Sequence, residues 1–271
     1  MPVGRRLERD GVPLVLWEWP GDPPPTLLLH GIGNYGRYWD LFARAIDGRL
    51  RLVAPDARGH GDSGRPEHGY EPEEFVADAL AVLDALAIDR ALVVGHSMGG
   101  SHSIRLAADH PDRVRGLVFV DVGPEPMREG MERARRLLTG RPRSFRDRDE
   151  ALAYFRRTSP GYGDDVYRNR LDWALREDDG SLLWRSDPNA LERIMARRSD
   201  RRELWTKLGA LRCPTLIVRG TRSNVLGAEG ARRMMETIPT ARLIELEAGH
   251  NVALDRPAEL ADAVVRLARE R

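Results

Sequence analysis

Gly95-His96-Ser97-Met98-Gly99 follows directly on the apolar run Ala91-Leu92-Val93-Val94 and precedes a segment with helical spacing. A serine with glycine two residues away on each side suits a sharp strand-to-helix turn, whose strained backbone lifts the hydroxyl above a sheet. Only small neighbours fit such a turn. The first turn of the following helix presents unpaired backbone N–H groups beside that hydroxyl, where they stabilise an oxyanion. A glycine-rich turn that merely contains a serine is the alternative. The strand before and the helix after favour Ser97 as a nucleophile.

Outward from this turn, short apolar runs recur at 27–29, 52–54, 92–94, 117–120, 216–218 and 243–246, separated by amphipathic stretches. That alternation predicts an α/β fold with parallel strands and crossover helices. Ahead of it, the alternation around Asp10-Gly11, with Val12, Leu14, Leu16, Trp17 and Trp19 after it, predicts an antiparallel hairpin. One helix is expected from Pro72, with Glu73 and Glu74 in its first turn and Phe75, Ala79, Val82, Leu83 and Leu86 on one face. Another is expected from Pro257, carrying Leu260, Val264 and Leu267.

The rhythm breaks between Pro124 and Leu208, where no strand-like run is read and arginines, acids and aromatics dominate. An inserted helical lid over 124–207 is therefore expected, dividing the core into 1–123 and 208–271. Tyr154, Phe155, Tyr162, Tyr167, Trp173, Trp184 and Trp205 fall in this stretch. Each alone is more readily packing than a ligand contact. As a group they predict a small-molecule substrate with an apolar or ring-shaped part.

Composition narrows the function classes. With 43 basic residues against 42 acidic ones, the formal charge of +1 offers no field for nucleic acid. Lys207 is the only lysine, and the arginine bias carries no functional weight. The single Cys213 excludes an internal disulfide and fits a reducing, cytoplasmic compartment. It reads as a buried small hydrophobe. No signal peptide and no run of eighteen apolar residues is visible, so no membrane role is expected, and the oligomeric state is left open.

A serine hydroxyl needs a base within hydrogen-bond reach and a carboxylate to orient that base. His250, in Ala248-Gly249-His250-Asn251, follows the last strand-like run and is the expected general base. The other histidines, at 60, 68, 96, 102 and 110, read as structural, and His30 is expected to shape an oxyanion loop. The loop 219–226 after the next-to-last strand contains no acid; its Ser223 and Asn224 can hydrogen-bond but supply no charge. Asp121 is the first carboxylate past the run 117–120 and is the expected orienting acid. A capping role for Asp121 is the alternative. The order Ser97, Asp121, His250 is serine, acid, histidine. Oxyanion donors are expected from the backbone of Met98 and, in the loop His30-Gly31-Ile32-Gly33-Asn34, of Ile32. The polar loop from Pro55 to Ser63 reads as structural support.

His30-Gly31, Asp56-Ala57-Arg58-Gly59-His60-Gly61, Gly95-His96-Ser97-Met98-Gly99-Gly100 and Gly249-His250 together resemble the α/β-hydrolase superfamily, in its lidded serine-hydrolase branch. The resemblance covers almost the whole core and not the lid. It implies an α/β-hydrolase fold with an eight-stranded, mostly parallel sheet, helices on both faces and an inserted lid. It also implies a covalent acyl-enzyme mechanism with no metal and no organic cofactor. Lacking an acid in the loop 219–226, the chain resembles the subset whose acid follows the sixth strand. Ser97 disfavours the relatives with an aspartate nucleophile.

The expected activity is hydrolysis of a small carboxylic ester or related acyl compound. Carbon–carbon or amide hydrolysis, or a cofactor-free oxygenation, on the same triad is the alternative within enzymes. A slow-turnover small-molecule receptor is the alternative outside them.

Overall fold

The computed structural model describes residues 2–197 and 200–270; the outer ends of the expected core spans, and residues 198–199 of the expected insertion, lie outside them. β1 (Val3–Arg9) and β2 (Val12–Trp19) pair antiparallel from Arg9 and Val12 outward. Asp10 and Gly11 between them both have positive φ, 50° and 76°. That two-residue turn has the twist of the strands it joins. In chain order there follow β3 (Thr26–Leu29), β4 (Leu52–Pro55), β5 (Ala91–His96) and β6 (Val114–Val120). Three short strands come next, β7 (Ser144–Phe145), β8 (Leu175–Asp178) and β9 (Ser181–Trp184), before β10 (Thr215–Gly220) and β11 (Ala241–Leu246).

Eight strands form the main sheet in the order β1-β2-β4-β3-β5-β6-β10-β11, parallel from β4 onward. Around it lie α1 (Asp40–Ile46), α2 (Pro72–Ala85) and α3 (Met98–Asp109). The insertion adds α4 (Arg128–Thr139), α5 (Arg148–Thr158), α6 (Asp164–Trp173) and α7 (Pro188–Ala196). α8 (Arg201–Ala210), α9 (Ala228–Thr237), α10 (Val252–Asp255) and α11 (Pro257–Arg269) complete the chain.

Both faces of the sheet are covered, which is why its central strands read as continuous apolar runs. Successive side chains take opposite faces. Leu92, Val94, Val118 and Val120 are buried with Phe42 of α1 and Leu260 and Val264 of α11. Val93, Leu117 and Phe119 are buried with Val82 of α2, Ile104 of α3 and Met234 of α9. α2 starts at Pro72 as expected and buries Phe75, Val76, Ala79, Val82 and Leu83, each worth about 1.5–3 kcal/mol for the large side chains. It also carries Asp78, whose two oxygens accept from Nε and Nη2 of Arg58 at 2.7 Å. With the Arg58 side chain only 3% exposed, this bidentate pair ties the 55–63 loop to the helix.

Between β6 and β10, where only helices were expected, the chain also forms a three-stranded antiparallel sheet, β7-β9-β8. Its strands have two to four residues and only three buried positions, Phe145, Leu175 and Leu182. So short a strand leaves almost no period to read. The expected boundary at 207 falls inside α8, whose Leu204 and Leu208 are buried in the layer shared with α3 and α9. α8 thus packs with the core. No helix among the described residues is long and apolar enough to cross a membrane.

Candidate active site

Because β3, β5, β6, β10 and β11 are parallel, the residues that follow them gather at one edge of the sheet. β5 ends at His96 and α3 begins at Met98, leaving Ser97 between them with φ 52° and ψ −117°. Such a backbone costs about 1–3 kcal/mol and persists only where its surroundings hold it. Here they do. A Cβ on Gly99 would lie 2.3 Å from the Leu29 carbonyl oxygen, and one on Gly95 would lie 2.6 Å from Gly100 Cα. Ser97 makes no capping bond to its own helix. It lines a cavity of about 230 Å³ with Ile32, His250 and side chains of the insertion.

Asp121 directly follows β6, fully buried and with φ 51°. His250 lies in the loop after β11, and its Nδ1 stands 2.7 Å from Asp121 Oδ2. An ionised carboxylate only accepts hydrogen bonds, so the proton of this bond sits on Nδ1, and in the neutral ring Nε2 is then the nitrogen with the lone pair. Among the described residues no hydrogen bond joins Ser97 to His250, a separation often seen in the absence of substrate.

Two further donors hold Asp121: Gly220 N to Oδ1 at 3.0 Å and Ser223 Oγ to Oδ2 at 2.5 Å. Ser223 in turn accepts from Val225 N at 3.0 Å and Leu226 N at 3.3 Å. The loop that lacks an acid therefore clamps the acid supplied by the neighbouring strand. Sequence reasoning weighed Ser223 as a possible partner of the imidazole and missed its bond to Asp121. His96, read as structural, donates from Nε2 to the His250 carbonyl at 3.0 Å. The two rings lie 4.6 Å apart, and Tyr38 stacks on His96 at 5.4 Å. Burial and the adjacent His250 ring hold His96 well below the usual imidazole range, so it is neutral.

The loop after β3 turns at Gly31–Asn34, where Asn34 N donates to Gly31 O at 3.1 Å and Gly33 has φ 76°. Two buried histidines fix its position. Ala57 N donates to His30 Nε2 at 3.0 Å, leaving Nδ1–H for Gly31 O at 2.8 Å. Gly33 N donates to His60 Nε2 at 2.9 Å, leaving Nδ1–H for Arg58 O at 3.0 Å. Burial pushes His30 down to about 4 and His60 down to about 3. His30 thus shapes this loop as expected, and His60, read as a loop residue, holds it too. Ile32 sits at the head of the turn and Met98 opens α3, where the first backbone N–H groups have no intrahelical acceptor. His102 lies on α3 stacked against Phe75 at 4.4 Å, away from His250.

Of the seven aromatics singled out in the insertion, Tyr154, Phe155 and Trp184 line the cavity. Tyr162 reaches its rim, its hydroxyl accepting from Asn251 Nδ2 at 3.3 Å. Trp173 instead packs edge-on to Trp17, Tyr167 donates to Ser159 O at 2.9 Å, and Trp205 Nε1 donates to Glu125 Oε1 at 3.0 Å.

Comparison with known proteins agrees with this architecture. A family model described as the alpha/beta hydrolase fold matches residues 24–257. The chain is 30% identical over 228 residues to 2-(acetamidomethylene)succinate hydrolase of Mesorhizobium japonicum, covering 83% of this chain and 80% of that protein. It is 28% identical over 268 residues to 3-hydroxybutyrate-oligomer hydrolase of Cupriavidus necator, covering 91% and 89%. The crystal structure of E-2-(acetamidomethylene)succinate hydrolase superposes with a TM-score of 0.90 at 27% identity, covering 100% of both chains. With an elbow after β5, an eight-stranded mostly parallel sheet and a matching family model over most of its length, the chain belongs to the α/β-hydrolase fold family, and its relatives are hydrolases.

Proposed function

We propose that the chain is a serine hydrolase that cleaves a small carboxylic ester or related acyl compound through an acyl-enzyme on Ser97. The observation that carries this reading is the 2.7 Å bond from His250 Nδ1 to Asp121, beside a serine held at positive φ in the same cavity. In the first half-reaction Ser97 Oγ attacks the acyl carbonyl while His250 Nε2 takes its proton. Asp121 keeps the imidazole in the tautomer that accepts there and stabilises the imidazolium that results. The carbonyl oxygen becomes an oxyanion that the N–H groups of Met98 and Ile32 receive, a contribution typically worth about 10²–10³ in rate per donor. His250 then returns its proton to the departing alcohol. Water, deprotonated by the same nitrogen, releases the acid in the second half-reaction.

The names of the relatives, a hydrolase of an acetamido compound and a hydrolase of hydroxybutyrate oligomers, support acyl transfer to water as the common chemistry. The test is Ser97→Ala, with an activated phosphonate as a covalent probe. The wild-type protein should take up one probe at Ser97, and Ser97→Ala should fall to the residual rate of about 10³–10⁴ over water left by binding and the oxyanion donors. Full ester hydrolysis by Ser97→Ala would end the proposal.

A further inference from the structure

The cavity above Ser97 is lined by two arginines, Arg141 and Arg170, and by no aspartate or glutamate among the described residues. In a chain with 43 basic and 42 acidic residues that imbalance is local. It also departs from the rest of the insertion, where Arg148 pairs with Asp172, Arg156 with Asp164, Arg185 with Asp62 and Arg197 with Glu71. Arg133, Arg135, Arg136, Arg143 and Arg168, which form no ion pair among the described residues, are exposed to solvent.

Arg141 and Arg170 are half-buried and form no ion pair with a carboxylate among the described residues. Arg141 donates to Ser186 Oγ at 2.8 Å and Ser186 O at 3.0 Å, and its guanidinium lies 4.7 Å from the centre of the Trp184 ring. Burial pushes it down to about 10, still charged at neutral pH. Arg170 lies over Tyr162 at 5.1 Å and Phe155 at 5.9 Å. A guanidinium has five donors in a fixed fork. Ser186 occupies two nitrogens of Arg141, and the aromatic faces occupy none. Placing cations in a partly buried site without a counter-ion is costly unless a ligand supplies one. The aromatic stacking orients the two forks without neutralising them.

We infer that the substrate carries a free carboxylate in addition to its scissile acyl group, and that Arg141 and Arg170 bind that carboxylate at the lid end of the cavity. This rests on the hydrolase reading above only for the identity of the scissile group. A half-ester of a short dicarboxylic acid has the required chemistry. One end meets Ser97 and the oxyanion donors, and the other meets a fork that pairs with a planar carboxylate. The small volume favours a short spacer. Neither arginine takes part in bond making; both hold the far end of the molecule and so fix which carbonyl faces Ser97.

The test separates binding from turnover. Ser97→Ala protein is titrated calorimetrically with monoethyl glutarate and with diethyl glutarate, alone and with Arg141→Gln, Arg170→Gln or Arg170→Lys added. The half-ester should bind about tenfold to a hundredfold tighter than the neutral diester, the usual range for a charge-assisted hydrogen bond. Either Gln substitution should erase most of that ratio, and Arg170→Lys should keep part of it. Circular dichroism checks each fold, and if Arg141→Gln does not fold, Arg170→Gln decides. Equal affinity for the two esters, or a ratio unmoved by Gln in folded protein, overturns the inference. Wild-type hydrolysis of both esters without preference for the half-ester does the same while leaving the hydrolase reading intact. Selective binding of the half-ester without its hydrolysis supports the carboxylate site and counts against the hydrolase reading instead.

Discussion

Asp121→Asn changes one atom and should change which nitrogen of His250 carries the proton. In the native site three donors converge on the carboxylate: Gly220 N on Oδ1, and Ser223 Oγ and His250 Nδ1 on Oδ2. An asparagine must place its amide nitrogen at one of those two positions. The backbone N–H of Gly220 has no freedom to turn away, so the amide oxygen stays opposite it and the NH₂ group takes the Oδ2 position. There the bond from the Ser223 hydroxyl is lost, because its lone pairs already accept from Val225 N and Leu226 N and cannot take the new NH₂. The imidazole meets a donor with its Nδ1, and it responds by moving its proton to Nε2. Nε2–H then faces Ser97 and cannot take its proton. Loss of the correct tautomer in an otherwise intact triad lowers kcat by about 10⁴, which is about 5.4 kcal/mol of transition-state stabilisation. The fold should lose far less, about 1–3 kcal/mol for one mismatched buried hydrogen bond. The assay is kcat on an activated ester alongside a thermal melt, with Asn224→Ala as the control in the neighbouring loop. A folded Asp121→Asn protein within tenfold of wild-type kcat, or one less impaired than Asn224→Ala, would refute the reasoning.

Asp78→Ala removes the bidentate partner of buried Arg58; with Glu74 still 3.2 Å from the guanidinium, the loss in denaturant unfolding should be about 2–3 kcal/mol, below the full cost of an unpaired buried charge, and a loss under 1 kcal/mol would mean that the pair is not a structural tie. Stability should also fall as pH drops below the ordinary imidazole value of 6.5. Burial holds His30 down to about 4 and His60 and His102 down to about 3, so the unfolded chain binds protons that the folded one refuses. Asp56, pushed up to about 6 by burial, opposes this in part. His96, held well below the usual imidazole range by burial, adds to the effect, so the net loss by pH 5 should be at least about 4 kcal/mol, read as a lowered midpoint in urea between pH 7 and pH 5, and a flat profile would contradict neutral buried histidines. Gly99→Ala drives a methyl group to within 2.3 Å of the Leu29 carbonyl; it should reduce both melting temperature and ester turnover, and wild-type values for both would show that the elbow tolerates a wider turn.

The features read correctly from sequence are those whose cause is local. The hairpin at Asp10-Gly11 needs positive φ at two successive residues, and the elbow needs small residues around one strained serine; both requirements are written within five residues. The strand runs were legible because a sheet covered on both faces leaves no polar alternation to confuse them. The β7-β9-β8 sheet was not read: strands of two to four residues carry too little pattern, and β7 pairs with β9 some 40 residues further on, although the β8-β9 hairpin turns at Asp179-Gly180, both at positive φ, a local signal of the same kind as Asp10-Gly11 that the reading passed over.

The candidate site divides in the same way. Sequence alone determined the turn at Ser97, the histidine after the last strand and the order of Ser97, Asp121 and His250, because chain order and strand ends fix which groups reach the same edge of a parallel sheet. Only the tertiary structure decided that Asp121 meets His250, that Ser223 holds Asp121 across 102 residues of chain, and that Arg141 and Arg170 face the cavity while other arginines of the same segment pair with acids or face solvent. Those facts depend on how side chains from distant segments are oriented and desolvated together. Residue type and spacing carry no record of that.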